Sequence, residues 1–175
     1  HPGIVARLSQ RGLLASGEWI ALQPGARWEN KRWPVESFAE LAGHLLKHNP
    51  ARRIAILGGP GDRPLGCQIG DRTGPGVVNL CGELSLPEMV EFLRQCALMI
   101  TNDTGPMHVG VAVGTPVIGI FGPTNPLRTG PYGQLTHTLS ASVGCAPCMK
   151  PHCRNSRVLE CLHLLSRSEE RRVGK

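Results

Sequence analysis

The sequence predicts an α/β fold, a Rossmann-like parallel sheet flanked by helices, and three observations predict it. Short apolar runs at 19–22, 54–57, 77–80, 98–101 and 117–121 alternate with longer helical patterns. The runs are too short for buried helices, and they are separated by about the length that a crossover helix needs. Each ends in glycine, proline or a small polar residue, so strand, loop and helix recur in one sense along the chain, as a parallel sheet requires.

Taken in order, residues 4–15 read as a short polar helix at the end of a linker. The first run is followed by Gln23-Pro24-Gly25-Ala26 and then by a helix in which Val35, Phe38, Leu41, Ala42, Leu45 and Leu46 recur at helical spacing. Pro34 stands at its start, where a missing N–H is tolerated. The second run leads into Gly58-Gly59-Pro60-Gly61-Asp62. After the third, residues 86–96 repeat the helical pattern, with Pro87 near the start and Met89, Val90, Phe92 and Leu93 interleaved with Glu88, Glu91 and Arg94. Asn102-Asp103-Thr104-Gly105-Pro106 follows the fourth run and Gly122-Pro123-Thr124 the fifth. The resulting division is an interdomain linker and helix at 1–17, one binding domain at 18–166, and a disordered or non-native tail at 167–175 that lacks apolar periodicity. Because the chain opens on His1, it is read as a fragment of a longer protein.

A length of 175 residues suits one domain with a sizeable aliphatic core. The formal charge of +6 favours anionic partners such as nucleotide diphosphates, nucleic acid or acidic lipid, without choosing among them. No run approaches the roughly 20 apolar residues of a membrane span, and no signal-like segment opens the chain. Seven cysteines are present, and Cys67, Cys81 and Cys96 lie scattered in apolar contexts, which suits a reducing compartment; the cytoplasm is expected. The other four form Cys145-x2-Cys148-x4-Cys153-x7-Cys161, with His152 and His163 nearby. This spacing leaves structural tetrahedral zinc, disulfides and free thiols all open.

In an open parallel sheet every strand C-terminus lies on one edge, and ligands bind in the crevice there. Four small-residue loops therefore converge on one cleft. Glycines admit close backbone approach, and helix N-termini add partial positive charge suited to phosphate. Any one such loop could simply end a strand; four together point to a ligand. Neither Gly-x4-Gly-Lys-Ser/Thr nor a complete Gly-x-Gly-x-x-Gly is present, which excludes an ordinary P-loop or dinucleotide domain.

Asn102-Asp103-Thr104-Gly105-Pro106-Met107-His108, followed by Gly114-Thr115-Pro116-Val117 and Phe121-Gly122-Pro123-Thr124, resembles the signature of glycosyltransferase family 9. Pro24-Gly25-Ala26 with Trp28 and Lys31-Arg32-Trp33-Pro34 is a second matching block. The resemblance runs from about 19 to 132. It implies the C-terminal, donor-binding half of a two-domain glycosyltransferase-B fold, as in the lipopolysaccharide heptosyltransferases. The implied donor is ADP-heptose or a similar nucleotide sugar, transferred with inversion to a lipopolysaccharide core or related glycan, with no cofactor required for transfer. A missing N-terminal domain would bind the acceptor and supply its activating base, and the whole protein would associate peripherally with the cytoplasmic face of the inner membrane.

Lys31 and Asp103 are the candidate catalytic residues, Lys31 as a point charge for the departing diphosphate and Asp103 as an acceptor for sugar hydroxyls. Gly25, Ala26, Arg27, Asp62, Leu84, Thr104, Gly105, Met107 and His108 are the candidate donor contacts, and Cys145, Cys148, Cys153 and Cys161 the candidate zinc ligands. The plainer alternatives are that Asp103 and Thr104 only cap a helix and that Lys31 belongs to a solvated basic loop. Two other functions compete: a sugar-nucleotide epimerase of related fold, and a zinc-stapled nucleic-acid-binding module. Against the latter, aromatics are few and basic residues do not line one helix, so no nucleic acid partner is expected.

Overall fold

The computed structural model describes residues 2–14 and 18–165. The end of the expected 4–15 helix, the linker stretch 15–17 and the tail 167–175 lie outside the described residues. Among these residues six strands form one sheet: β1 Trp19–Gln23, β2 Arg53–Ile56, β3 Val77–Asn79, β4 Cys96–Asn102, β5 Val117–Phe121 and β6 Thr138–Ser140. Their order is β3-β2-β1-β4-β5-β6, and every pairing is parallel. The chain therefore winds outward from β1 in one direction, then returns to start the second half at β4. The switch point lies between the C-terminal ends of β1 and β4, where Gln23 stands in register with Thr101.

Among the described residues seven α-helices accompany the sheet: α1 Pro2–Gln10, α2 Val35–His48, α3 Arg63–Thr73, α4 Leu86–Leu93, α5 Gly105–Ala112, α6 Pro126–Thr129 and α7 Glu160–His163. Strand side chains alternate between faces, and the core divides accordingly. Ile20, Leu22, Ile54, Ile56, Ile100 and Ile120 face one way and pack with Phe38 of α2, Ile69 of α3 and Leu162 of α7. Trp19, Ala21, Ala55, Met99 and Phe121 face the other, with Leu8 of α1, Phe92 of α4 and Met107 of α5. Edge-to-face stacking of Trp19 on Phe92 and of Trp33 on Phe38, with centroids 5.3 and 5.1 Å apart, reinforces both layers.

The helical reading of the first residues is displaced. α1 ends at Gln10 because Gly12, at φ +68°, turns the chain so that the Leu13 N–H reaches back 2.9 Å to the Leu8 carbonyl. The helix is docked through the fully buried Leu8 and through Arg7, whose Nε donates to Glu88 at 3.0 Å. Glu88 also accepts the Ser85 hydroxyl and backbone N–H, closing the first turn of α4. The helix expected to run to 96 stops at Leu93, and Cys96 already belongs to β4. α3 and β6 carry weak periodic signals and were not expected. Among the described residues, no helix is long and apolar enough to cross a membrane.

Candidate binding site at the switch point of the sheet

β1 ends in Gln23, and the chain then loops through Pro24–Trp33 before α2. β4 ends in Asn102, and Asp103 and Thr104 follow before α5. These two segments meet. Lys31 lies on a 3-10 turn, Glu29–Lys31, and its Nζ stands 2.7 Å from Asp103 Oδ2, with side-chain exposures of 18% and 6%. The two candidate catalytic residues, 72 positions apart, thus form one mostly buried ion pair at the switch point. Lys31 Nζ also stands 4.8 Å from the centroid of Trp28. The Thr129 hydroxyl of α6 donates to the same Asp103 oxygen at 3.3 Å.

The loop that carries Lys31 is built by its own hydrogen bonds. Arg32 Nε donates to the Ala26 carbonyl at 3.1 Å, and the Lys31 N–H to the Trp28 carbonyl at the same distance. Asn102, completely buried, donates from Nδ2 to the Pro24 carbonyl at 2.7 Å and accepts the Trp33 N–H at 3.1 Å. On the other side, Asn30 Nδ2 donates to the Lys150 carbonyl at 2.8 Å.

The β2 loop closes on the β1 loop. Asp62 Oδ2 accepts the Gly59 N–H at 3.0 Å, and its carboxylate lies so close to Gly25 that a Cβ there would sit 2.5 Å from the carboxylate atoms. Glycine is required at 25 for that approach. Asp62 and Gly25 therefore share the crevice edge with Lys31. Ala26 is buried and Arg27 exposed in the same loop.

Thr104 takes the N-cap position of α5 in an extended conformation and makes no side-chain capping hydrogen bond. The plain capping reading fails for Thr104, and Asp103 is committed to Lys31. Gly105 and His108 are exposed at the start of the helix, where the helix dipole favours an anion. Met107 is a correction to the expected contacts. It is fully enclosed in the core beneath α5, and its N–H bonds to the Thr104 carbonyl at 3.1 Å, so it supports the helix instead of facing a ligand. Helical spacing turns its side chain inward while that of His108 turns out. Leu84 stands half-buried after β3, packed against the α4 face of the core, at the same sheet end but two strands from β1.

The four clustered cysteines line a cavity of about 550 Å³, together with Asn30 and Pro123. This cavity is lined in part by Asn30, on the same 3-10 turn as Lys31. Burial pushes the Cys161 thiol up, and the nearby sulfurs of Cys145, Cys153 and Cys148 add to that. All four are free thiols. Among the described residues, no group of three or more Cys, His, Asp or Glu is gathered so as to hold a metal ion, so the tetrahedral zinc reading is not supported. Two of the sulfurs instead accept hydrogen bonds, Cys145 from the Asn155 amide at 3.5 Å and Cys153 from the Leu159 N–H at 3.3 Å. Thr129, Asn102 and Asn30 were not singled out in the sequence. Only Asn102 had a signal, its place beside Asp103 in the matched motif.

An open parallel sheet in this strand order, with a charged pair, glycine loops and a helix start gathered at its switch point, defines a Rossmann-like domain. The profile of glycosyltransferase family 9 (heptosyltransferase) matches residues 6–159, and the chain belongs to that family. It is 36% identical over 130 residues to lipooligosaccharide heptosyltransferase 2 of Haemophilus influenzae, covering 71% of this chain and 37% of that protein. The solved structure of E. coli ADP-heptose LPS heptosyltransferase II superposes with a TM-score of 0.73 at 28% identity, over 81% of this chain and 44% of that one. E. coli heptosyltransferase WaaC with ADP-2-deoxy-2-fluoro heptose superposes at 0.61 with 26% identity, over 73% and 38%. The chain spans less than half the length of these relatives.

Proposed function

We propose that this chain is the donor-binding half of an inverting heptosyltransferase that takes ADP-heptose and passes the sugar to a lipopolysaccharide core or related glycan. The observation that carries this reading is the Lys31–Asp103 pair at the switch point, at 2.7 Å. A solved relative that holds ADP-2-deoxy-2-fluoro heptose supports the choice of donor.

In this reading the donor exchanges partners with the protein. Its diphosphate draws Lys31 off Asp103, and the Gly105 end of α5 and the Thr104 hydroxyl complete the phosphate contacts. The freed Asp103 keeps the Thr129 hydroxyl on one oxygen and accepts sugar hydroxyls on the other. In transfer, the acceptor hydroxyl attacks the anomeric carbon from the face opposite ADP. The new C–O bond forms as the bond to the diphosphate oxygen breaks, and that oxygen keeps the electron pair. Lys31 and the helix start meet the growing negative charge, with no call on a metal. The acceptor's proton passes to a base outside this chain, on the acceptor half of the whole protein. That protein would work at the cytoplasmic face of the inner membrane, where a lipid-linked core is presented.

Calorimetric titration of the 175-residue chain with ADP, ADP-heptose, UDP and GDP tests the reading. ADP and ADP-heptose should bind at least about tenfold more tightly than UDP or GDP, a difference that one or two base-specific hydrogen bonds supply. Tighter binding of UDP would favour the epimerase. Sugar transfer by this chain alone at the rate of a two-domain relative would overturn its assignment as a donor half.

A further inference from the structure

Asn102 is completely buried at the tip of β4, between two segments remote from it in sequence. Its amide hydrogen-bonds to backbone groups: Nδ2 donates to the Pro24 carbonyl and Oδ1 accepts the Trp33 N–H. Pro24 and Trp33 are the two ends of the loop that carries Lys31. A side-chain amide has the donor and acceptor geometry of a peptide group, so Asn102 takes the place that a neighbouring strand would fill, holding both ends of a loop with no strand pairing of its own. The next residue is Asp103, which receives the Lys31 amine, two residues before the Trp33 end of that loop, at 2.7 Å. One strand end therefore holds the loop's backbone with one residue and its lysine with the next.

We propose that Asn102 is a positioning residue for diphosphate binding, acting through Lys31: its amide sets the Pro24–Trp33 loop so that the amine lies over Asp103 and within reach of a donor diphosphate. This rests on the donor reading above. The Asn102 amide has no path of its own to the ligand, since both of its groups are committed to the loop. Its whole effect on affinity must then pass through the placement of the loop, and Lys31 is the loop residue whose amine that placement holds on Asp103.

Two measurements on the 175-residue chain test this. The first is ADP affinity by calorimetry in the parent, Asn102→Ala, Lys31→Ala and the double variant. Asn102→Ala should weaken ADP by at least about tenfold in the parent, the scale of a lost buried hydrogen-bond pair. It should weaken ADP less than about twofold once Lys31 is gone, which is within ordinary additivity. Equal losses in both backgrounds would overturn the proposal, as would no loss in either.

The second measurement needs no nucleotide: the rate at which acetic anhydride acylates each lysine, read by peptide mass spectrometry. Lys31 is held against Asp103 and should react slowly in the parent. In Asn102→Ala its rate should rise while those of the exposed Lys47 and Lys150 stay constant. Unchanged Lys31 labelling would sink the proposal, as would a uniform rise at all three. If Asn102→Ala does not fold, Asn102→Asp keeps the acceptor for Trp33, removes the donor to Pro24, and is read in the same two ways. A parent chain that fails to bind ADP refutes the donor reading, while the labelling still decides whether Asn102 positions Lys31.

Discussion

The ion pair at the switch point predicts a stability effect separable from ligand binding. Lys31→Met removes the cation and leaves Asp103, 6% exposed, with the Thr129 hydroxyl on the same oxygen. At 2.7 Å and an effective dielectric near 20, the gross attraction is about 6 kcal/mol, much of it offset by the desolvation of both groups. Breaking a buried pair from one side costs roughly 3–5 kcal/mol. Because the lysine is 18% exposed and Thr129 remains, the lower end applies here, about 3 kcal/mol. For a chain of this length that is a fall of roughly 6–12 °C in Tm. Asp103→Asn removes the charge that Lys31 answers, so Lys31→Met in that background should cost less than about 1 kcal/mol. Thermal unfolding of the four proteins by circular dichroism gives the coupling directly. A Lys31→Met protein melting within about 2 °C of the parent would refute the argument, and so would the same loss in both backgrounds. ADP at 100 times its Kd should then add about 2.7 kcal/mol to the parent and clearly less to Lys31→Met.

Three further outcomes follow from named contacts. Gly25→Ala would drive a methyl into the Asp62 carboxylate and should cost about 1–2 kcal/mol in urea unfolding; the same change beside Asp62→Ala should be close to neutral, and an equal cost there would show that the clash lies elsewhere. The Ser85 hydroxyl and N–H, with Arg7, hold the Glu88 carboxyl at about 2, below its usual 4.5. A lowered folded-state pKa lends stability above the unfolded value that is lost as pH falls through the folded one. Glu88→Gln should therefore flatten the decline in Tm between pH 4.5 and 2, and an unchanged slope would count against the cap. Burial pushes the Cys81 and Cys96 thiols up from 9.0 to about 12. The stability linked to keeping them protonated is complete below pH 9 and falls as pH rises towards 12. Iodoacetamide at pH near 8 should label the exposed Cys67 and Cys145 first, and peptide mapping that found Cys81 labelled as fast as Cys67 in folded protein would contradict the burial.

Much of the fold was legible because its signals are local. The five expected strands are all present, with Cys96 moved from the end of a helix into β4 by the strand's earlier start. β6 and α3 escaped notice because Thr138–Ser140 is short and half-exposed and α3, with Gly66 and Gly70, carries little apolar periodicity. Of the site, the loop residues were visible through glycine, proline and motif. Met107 was misassigned because a motif does not say which side of a helix turn faces a ligand. The four clustered cysteines left zinc, disulfides and free thiols open because spacing in a loop does not determine where sulfurs point; the structure has free thiols there.

The sequence by itself determined the alternation of strand and helix, the family, and the chemical identity of Lys31 and Asp103, since each depends on residues within a few positions of one another. The tertiary structure alone decided that β1 lies beside β4, and with it that an amine and a carboxylate 72 residues apart meet at 2.7 Å. It also decided that Thr129 shares that carboxylate and that Asn102 holds both ends of the lysine loop. Strand order is settled by which apolar faces bury one another across the whole chain. Contacts made through that order leave no periodic trace in the segments they join.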